Sequence, residues 1–497
     1  MASKKSYRPW SPEQPFLLPP SPTEWLPEGH LVYFILDTVK LLDLSAIEGV
    51  LQAKDPRGER SYNPAMMVAL LLYAYCVGVF SSRRIARATY EDVAFRVLTG
   101  GQHPHFTRVN AFRKSHQDAL SGVFLQGLML CSEAGLVKLG HVSLDGSKVA
   151  ANASKHKAMS YDRMAALEKR LTAEIEALMG RAREMDSTED ERFGEGRDAE
   201  DIPAELKRRE TRLARLREAK AALEKEARQA RAARHRELAD GCAQRADAAE
   251  AERLERLNRT LEKKHLERAE ALDEGADDEP PFTTNDGLPK HRPRTHTDGT
   301  PHPRAQRNFT DADSRIMESG GAFVQGYNVQ AVVDQEHQIV LAGAVTNQPP
   351  DAGNLVPMLE QTIQNCGQPP ERLSADSGYW SAGGPAQCEA LGTEVYIATE
   401  RRKHWDTNRD VTSGPPPDGA DPRERMRWKL RTAEGRAIYS RRKVIVEPVF
   451  GQIKEARGFR RFLRRGLEAV QAEWSLVCLT HNLLKLFRAK LRAVVAA

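Results

Sequence analysis

Between residue 161 and about residue 273 the chain is written almost entirely in Glu, Arg, Lys and Ala. Leu213, Leu216, Leu223, Ala227 and Ala230 recur there at alternating spacings of three and four, with Lys220 as the polar member of the series. This is heptad spacing inside a charged coat, the pattern of helices that pack along a seam. The stretch MDSTEDERFGEGRDAEDIPAE at 185–205 interrupts it with Gly, Pro and acids. We therefore expect an antiparallel helical hairpin that turns in that stretch, then further helix, over 161–275. Such a segment cannot supply a globular core, so the cores must come from the chain on either side of it.

The N-terminal side is helical. Residues 1–30 read as an extended Pro- and aromatic-rich arm, and 31–138 as a helical domain. The 16-residue run AMMVALLLYAYCVGVF at 65–80 is too short to span a membrane. It comes after Asn63-Pro64, a helix start, and reads as a buried helix. After Gly100-Gly101 comes a basic helix carrying Arg108, Arg113, Lys114 and His116, compatible with a reader of the DNA major groove. The Pro-rich N-terminus does not read as a secretory signal. The six cysteines are scattered with no C-x-x-C pair, which argues against a zinc site or a disulfide framework and fits a reducing cytoplasm.

The rest of the chain mixes strands and helices. LGHVSLDGSKVAANAS at 139–154 opens with a strand, His141 to Leu144, expected to end at Asp145-Gly146. Residues 276–308 read as a polar, flexible Pro/His/Thr linker. AFVQGYNVQAVVD at 322–334 and HQIVLAGAVT at 337–346 form a hairpin. A helix capped by Asp351 comes next, then a strand ending at Asp376, a helix, and a strand at 394–399. With the helical insertion removed, this order makes an α/β fold, a mixed sheet flanked by helices. Residues 139–160 and 309–497 would together form the catalytic domain.

Three acids fall at informative places. Asp145 and Asp376 stand at strand ends, and Glu447 lies in a later helical region. Reactive groups gather where strand ends meet helix starts in open α/β sheets. Oxygen ligands there select a hard cation, Mg²⁺ with Mn²⁺ able to substitute. Two such ions can clamp the attacking and leaving oxygens of an in-line phosphoryl transfer. Around Glu447 the chain is strongly basic. Residues 401–466 hold 19 Lys and Arg against 8 Asp and Glu, 19 − 8 = +11, the signature of a surface that meets a polyanion. Pro448 disfavours helical geometry at the residue before it and suits a first helical position, so Glu447 is expected at a helix start or a kink.

The motifs SLDGSKVAANASKHKAMSY, LSADSGYWS and VEPVFGQIK resemble those of the DDE transposases of bacterial insertion sequences. The resemblance covers most of the chain, including the helical N-terminal region and the insertion after the first acid. It implies a ribonuclease-H-like catalytic domain with Asp145, Asp376 and Glu447 as catalytic residues and ligands of two Mg²⁺ ions. Related transposases carry a Tyr-Arg-Glu-Lys signature, matched here by Tyr439, Arg442, Glu447 and Lys454, with one more residue between Arg and Glu than in the commonest form. Tyr439, Arg442, Lys454 and Arg457 are the phosphate-binding candidates. The implied activity is cleavage at element ends and 3′-hydroxyl strand transfer into target DNA. Its partners would be terminal inverted repeats, target DNA and a second copy of the chain, without a membrane, in the bacterial cytoplasm and on the nucleoid. The other readings are a DNA-binding scaffold without catalysis and a metal-dependent nuclease that does not join.

Overall fold

The computed structural model describes residues 22–52, 61–193, 202–249, 252–272, 282–400 and 411–496. Among these, residues up to 134 together with those from 476 onward form one compact unit, and residues 135–475 form another. The expected N-terminal arm falls outside the described residues as far as residue 21; from there a short 3₁₀ turn, Pro22–Trp25, leads into the first helix.

The first unit is all helical: α1 (Leu31–Lys40), α2 (Ser45–Gln52), α3 (Pro64–Cys76), α4 (Ser82–Glu91), α5 (Val93–Thr99), α6 (Phe106–Ser115) and α7 (Gln117–Glu133). Helix α3 begins where the sequence signals it, with Pro64 in the first turn and the Asn63 side chain accepting from the Met66 N–H at 3.2 Å. It is buried from Met67 through Cys76, so it reads as apolar all round because it has no solvent face. In α6 only part of the expected basic surface is outside. Arg113 and His116 are buried, and Arg113 Nη1 donates to the Tyr75 hydroxyl and to the Phe80 carbonyl, both at 3.0 Å.

The second unit is built on one mixed sheet. Its strands are β1 (His141–Ala150), β4 (Arg315–Ser319), β5 (Ala322–Asp334), β6 (Val340–Thr346), β7 (Arg372–Ala375) and β8 (Glu394–Ile397); short strands β2 (Ala158–Ser160) and β3 (Gln306–Asn308) pair separately. The order is β4–β5–β1–β7–β8, with β6 also on β5. Helices α11 (Leu355–Cys366) and α12 (Gly384–Ala390) connect the later strands. This is the α/β fold with a helical N-terminal region that the sequence implies.

Strand β1 departs from expectation. It does not stop at Asp145. It pairs antiparallel with β5 from Val142↔Asp334 through Ala150↔Gly326, while its parallel pairing with β7 covers only His141 to Leu144. Asp145 is thus the first residue beyond the parallel pairing and sits in mid-strand. The Asp-Gly pair, commonly a turn signal, is carried straight on by the longer partner strand.

The insertion comprises α8 (Tyr161–Phe193), α9 (Ile202–Asp247) and α10 (Glu252–Leu272). Leu213, Leu216, Leu223, Ala227 and Ala230 are all buried. The first three of these share a cluster with Met164, Leu171 and Ile175 of α8. Lys220, the polar seam residue, donates to Glu168 at 2.9 Å, and Arg217 does so at 3.0 Å. Higher numbers meet lower ones, so α8 and α9 run antiparallel. Residues 276–281 of the expected linker lie outside the described residues. Residues 282–308 are not a free linker but a chain of tight turns. Bridges Thr283↔Pro289 and Thr295↔Pro301 close them, and Leu288 is fully buried with Phe282 nearly so.

The basic region forms α13 (Pro422–Arg431), α14 (Ala433–Ser440), α15 (Arg442–Gly451), a π-helical turn (Gln452–Ala456) and the last helix, α16 (Leu467–Ala496). Glu447 is not at a helix start, because α15 runs from Arg442 through Pro448 to Gly451. A proline there removes one N–H from the ladder and orphans the carbonyl four residues earlier. That carbonyl belongs to Val444, and Gln338 Nε2 donates to it at 3.1 Å. The side chain from the β5–β6 connection supplies what the proline takes away.

Candidate active site

Helix α15 packs on β1 and β5, and its buried face consists of Ile445, Val446, Val449 and Phe450. This anchoring places Arg442, at the first turn, over the middle of β1. Arg442 is itself buried, with Nη1 3.3 Å from Asp145 Oδ2 and Nη2 3.9 Å from Glu447 Oε1. One guanidinium therefore joins two of the three acids, although 302 residues of sequence separate them (447 − 145). Burial pulls its basicity down, but Asp145, Tyr439, Asp376 and Glu447 outweigh burial and raise it. The neighbours include the third acid.

Asp145 has the opposite problem. Burial is the largest influence on it and pushes its carboxyl up to about 6; Arg442 and the Gly146 N–H oppose this, while Asp376 and Asp351 add to it. The Gly146 N–H donates to Asp145 Oδ1 at 2.8 Å. Asp376 comes directly after β7, as the sequence implies, and Oδ1 accepts from the Gly378 N–H at 2.8 Å, capping a single 3₁₀ turn, Ser377–Tyr379. Glu447 keeps about half of its side chain exposed. Burial raises the Tyr439 hydroxyl, with Arg442 acting against it.

Lys454 has a protein partner. Its ammonium donates to the Lys148 carbonyl at 2.8 Å and to the Ser147 hydroxyl, on the stretch of β1 just after Asp145. Burial lowers its basicity, and Lys148 lowers it further. Lys454 itself lies within the π turn at 452–456, so the continuous α-helical spacing expected between it and Glu447 does not hold. Arg457, at the end of that turn, is buried.

One group of residues escaped the sequence reading. Asp351 does not cap α11, which starts four residues later with Asn354 in front of it. Its Oδ1 instead accepts from Asn328 Nδ2 at 2.8 Å, Gln330 Nε2 at 3.0 Å and Lys148 Nζ at 3.2 Å. The Tyr379 hydroxyl donates to Gln330 Oε1, and Trp474 Nε1 donates to the Gln330 carbonyl at 3.1 Å. This brace presses against Gly146. A Cβ there would lie 2.6 Å from both Asp351 Oδ1 and Gln330 Nε2, and 3.1 Å from the Tyr379 hydroxyl. At Gly378, a Cβ would meet Asp376 Oδ1 at 3.0 Å and Asp351 Cβ at 3.5 Å. The residues beside both strand acids thus rest on the same side chain. The only available signal was two glycines, each one or two positions after an acid.

As a donor set, the acids offer oxygen alone, which suits a hard divalent cation. Among the described residues, no three carboxylate, His or Cys side chains stand together closely enough to enclose an ion. Arg442 provides the positive charge between Asp145 and Glu447. No described helix is long and apolar enough to cross a membrane.

Two family models match the chain. One, described as Transposase DDE domain, covers residues 401–487, and the other, Transposase domain (DUF772), covers residues 21–115. Together they indicate an insertion-sequence DDE transposase. The first span contains Tyr439, Arg442, Glu447, Lys454 and Arg457, whereas Asp145 and Asp376 lie outside both. No curated protein and no solved structure matches.

This geometry has two measurable outcomes. The folded-state carboxyl of Asp145, near 6, lies above its unfolded value of about 4. Its stabilising contribution is therefore complete below about pH 4 and is lost as pH rises through 6. Denaturation of the metal-free protein should show the Asp145→Asn variant gaining on wild type between these limits and staying ahead above pH 6. The second concerns space. Gly146→Ala should cost about 1–3 kcal/mol in urea denaturation, as an overpacked site does. Gly451→Ala, in helix with nothing within 4 Å of the added carbon, should be neutral or stabilising by up to about 1 kcal/mol.

Proposed function

We propose that this chain cuts DNA at the ends of a mobile element and joins the freed 3′-hydroxyl to target DNA, with Asp145, Asp376 and Glu447 as the catalytic acids. The observation that carries the reading is Arg442. A single buried guanidinium touches Asp145 and Glu447, and Asp376 acts on it as well. Arg442 thus pairs with acids from two remote segments, in a stretch of chain that is strongly basic, and this supports their serving one site.

The three acids would hold divalent cations, Mg²⁺ or Mn²⁺, which when bound supply the activation of water and the stabilisation of charge that phosphoryl transfer requires. The remaining work falls to the protein. The Asp145 carboxyl, raised by burial, is a group that a cation would convert fully to carboxylate. Arg442 keeps the two strand acids and Glu447 from repelling one another and offers guanidinium N–H groups to a phosphate. Lys454 fixes the backbone of β1 beyond Asp145 and so holds that acid in register. Tyr439, against Arg442, and Arg457 would complete the phosphate contacts.

In the first unit, Arg84 and Lys114 present cations near α4 and α6, and Arg83 stacks on the Phe106 ring at 5.1 Å. This surface would recognise the terminal repeats. Joining two ends at one target calls for two copies of the chain in the reacting complex, and the helical insertion offers a surface for pairing them.

The test is a strand-transfer assay on linear DNA that carries the sequences flanking the gene, with Mg²⁺ present. Wild type should yield nicked and joined products. Asp376→Asn should reduce both by about 10³-fold, the scale of several kcal/mol of lost charge stabilisation, while DNA retention on gels is kept. Cutting without joined product would favour a nuclease, and binding without cutting a scaffold. Full activity in Asp376→Asn would remove that acid from the site.

A further inference from the structure

The stretch RGFRRFLRRG at 457–466 is more basic than the acids next to it explain. Phe459 and Phe462 are its buried anchors, packed edge to face at 5.4 Å, and Phe462 also meets Tyr327. Anchored in this way, the chain turns Arg461 and Arg465 to the surface. There they line a cleft of about 580 Å³, together with Lys155, Lys157 and Phe323.

The cleft is held in shape from several sides. The Ala150 N–H donates to the Arg460 carbonyl at 3.2 Å, and the Phe462 N–H donates to the Ala150 carbonyl at 2.8 Å. Asn152 Nδ2 donates to the Leu463 carbonyl at 2.8 Å, and Arg465 Nε donates to the Asn152 carbonyl at 2.9 Å. The loop after β1 is therefore fixed to the basic segment before any ligand arrives.

Three features define what fits. First, Lys155, Lys157, Arg461 and Arg465 have no carboxylate partner among the described residues, and no Asp or Glu lines the cleft. Glu318, across the hairpin from Phe323, is the acid closest in register and stands outside the lining. Second, Phe323 is 63 % exposed, a large aromatic face left to solvent beside those cations. Third, at about 580 Å³ the cleft has room for a nucleotide. Cations that follow a backbone next to an aromatic platform are the arrangement that binds unpaired strands. The cleft begins at Ala150, five residues along β1 from Asp145, or about 17 Å. That is about five stacked nucleotides at 3.4 Å each.

We propose that this cleft binds an unpaired stretch of the DNA strand that passes through the active site, with phosphates on Lys155, Lys157, Arg461 and Arg465 and one base stacked on Phe323. It rests on the transposase reading above and adds a path for the strand.

The test measures binding of full-length protein to a short fluorescein-labelled oligothymidylate and to a matched duplex, across a salt series. Phe323→Ala should weaken oligothymidylate binding about tenfold, the scale of one lost stacked base, with the salt slope unchanged and duplex binding intact. Arg461→Ala and Arg465→Ala should each lower the slope by about 0.7, one phosphate on a single strand. Phe323→Trp should keep the affinity and show indole quenching when the oligonucleotide binds. Because Phe323 is exposed, truncating it removes no core packing. Oligothymidylate binding unaltered in Phe323→Ala, or duplex binding weakened equally, would overturn the cleft and leave the transposase reading standing. Wild-type protein that binds neither probe would overturn both.

Discussion

The candidate site depends on a buried arginine shared by two acids. Arg442 and Asp145 are both largely withdrawn from water, and taking two charges out of water costs several kcal/mol each. Such a pair persists only if the surrounding packing enforces it. Here the enforcement is the apolar face of α15, set against β1 and β5 by four buried side chains. The acid on β1, the arginine on α15 and the acid one and a half turns further on are consequences of one helix–sheet contact.

The opposite side of β1 is set by the Asp351–Gln330–Tyr379 brace. It links β1, β5, the loop before α11 and the turn after Asp376 through side chains alone. Gly146 and Gly378 let the brace approach the backbone on either side, next to the β1–β7 pairing of Leu144 with Ala375 that sets Asp145 and Asp376 side by side. Parallel pairing between β1 and β7 ends at Leu144, one residue short of the first acid and at Ala375, one short of the second. Both acids therefore stand where the β1–β7 ladder has just opened, beside the brace.

Features carried by local pattern were legible in the sequence. The run at 322–334 is β5 residue for residue, Asn63-Pro64 starts α3, and the heptad leucines of α9 are buried. What failed to read out depended on distant partners. Asp145-Gly146 resembled a strand end because nothing nearby shows that β5 pairs on to Gly326. Pro448 resembled a helix start because its compensating donor, Gln338, lies 110 residues upstream (448 − 338). Asp351 resembled a helix cap because its three donors come from β1 and β5. The 282–308 segment looked like a linker by composition, yet its buried Leu288 ties it to a core.

The central claim is that Asp145, Asp376 and Glu447 form one cation-dependent site. Anomalous diffraction from crystals of the full chain soaked in Mn²⁺ tests it most directly. The account predicts Mn²⁺ signal beside the Asp145 and Asp376 carboxylates, lost in Asp145→Asn crystals. Saturating Mn²⁺ that gives no signal at those carboxylates, or the same signal after the substitution, would contradict it.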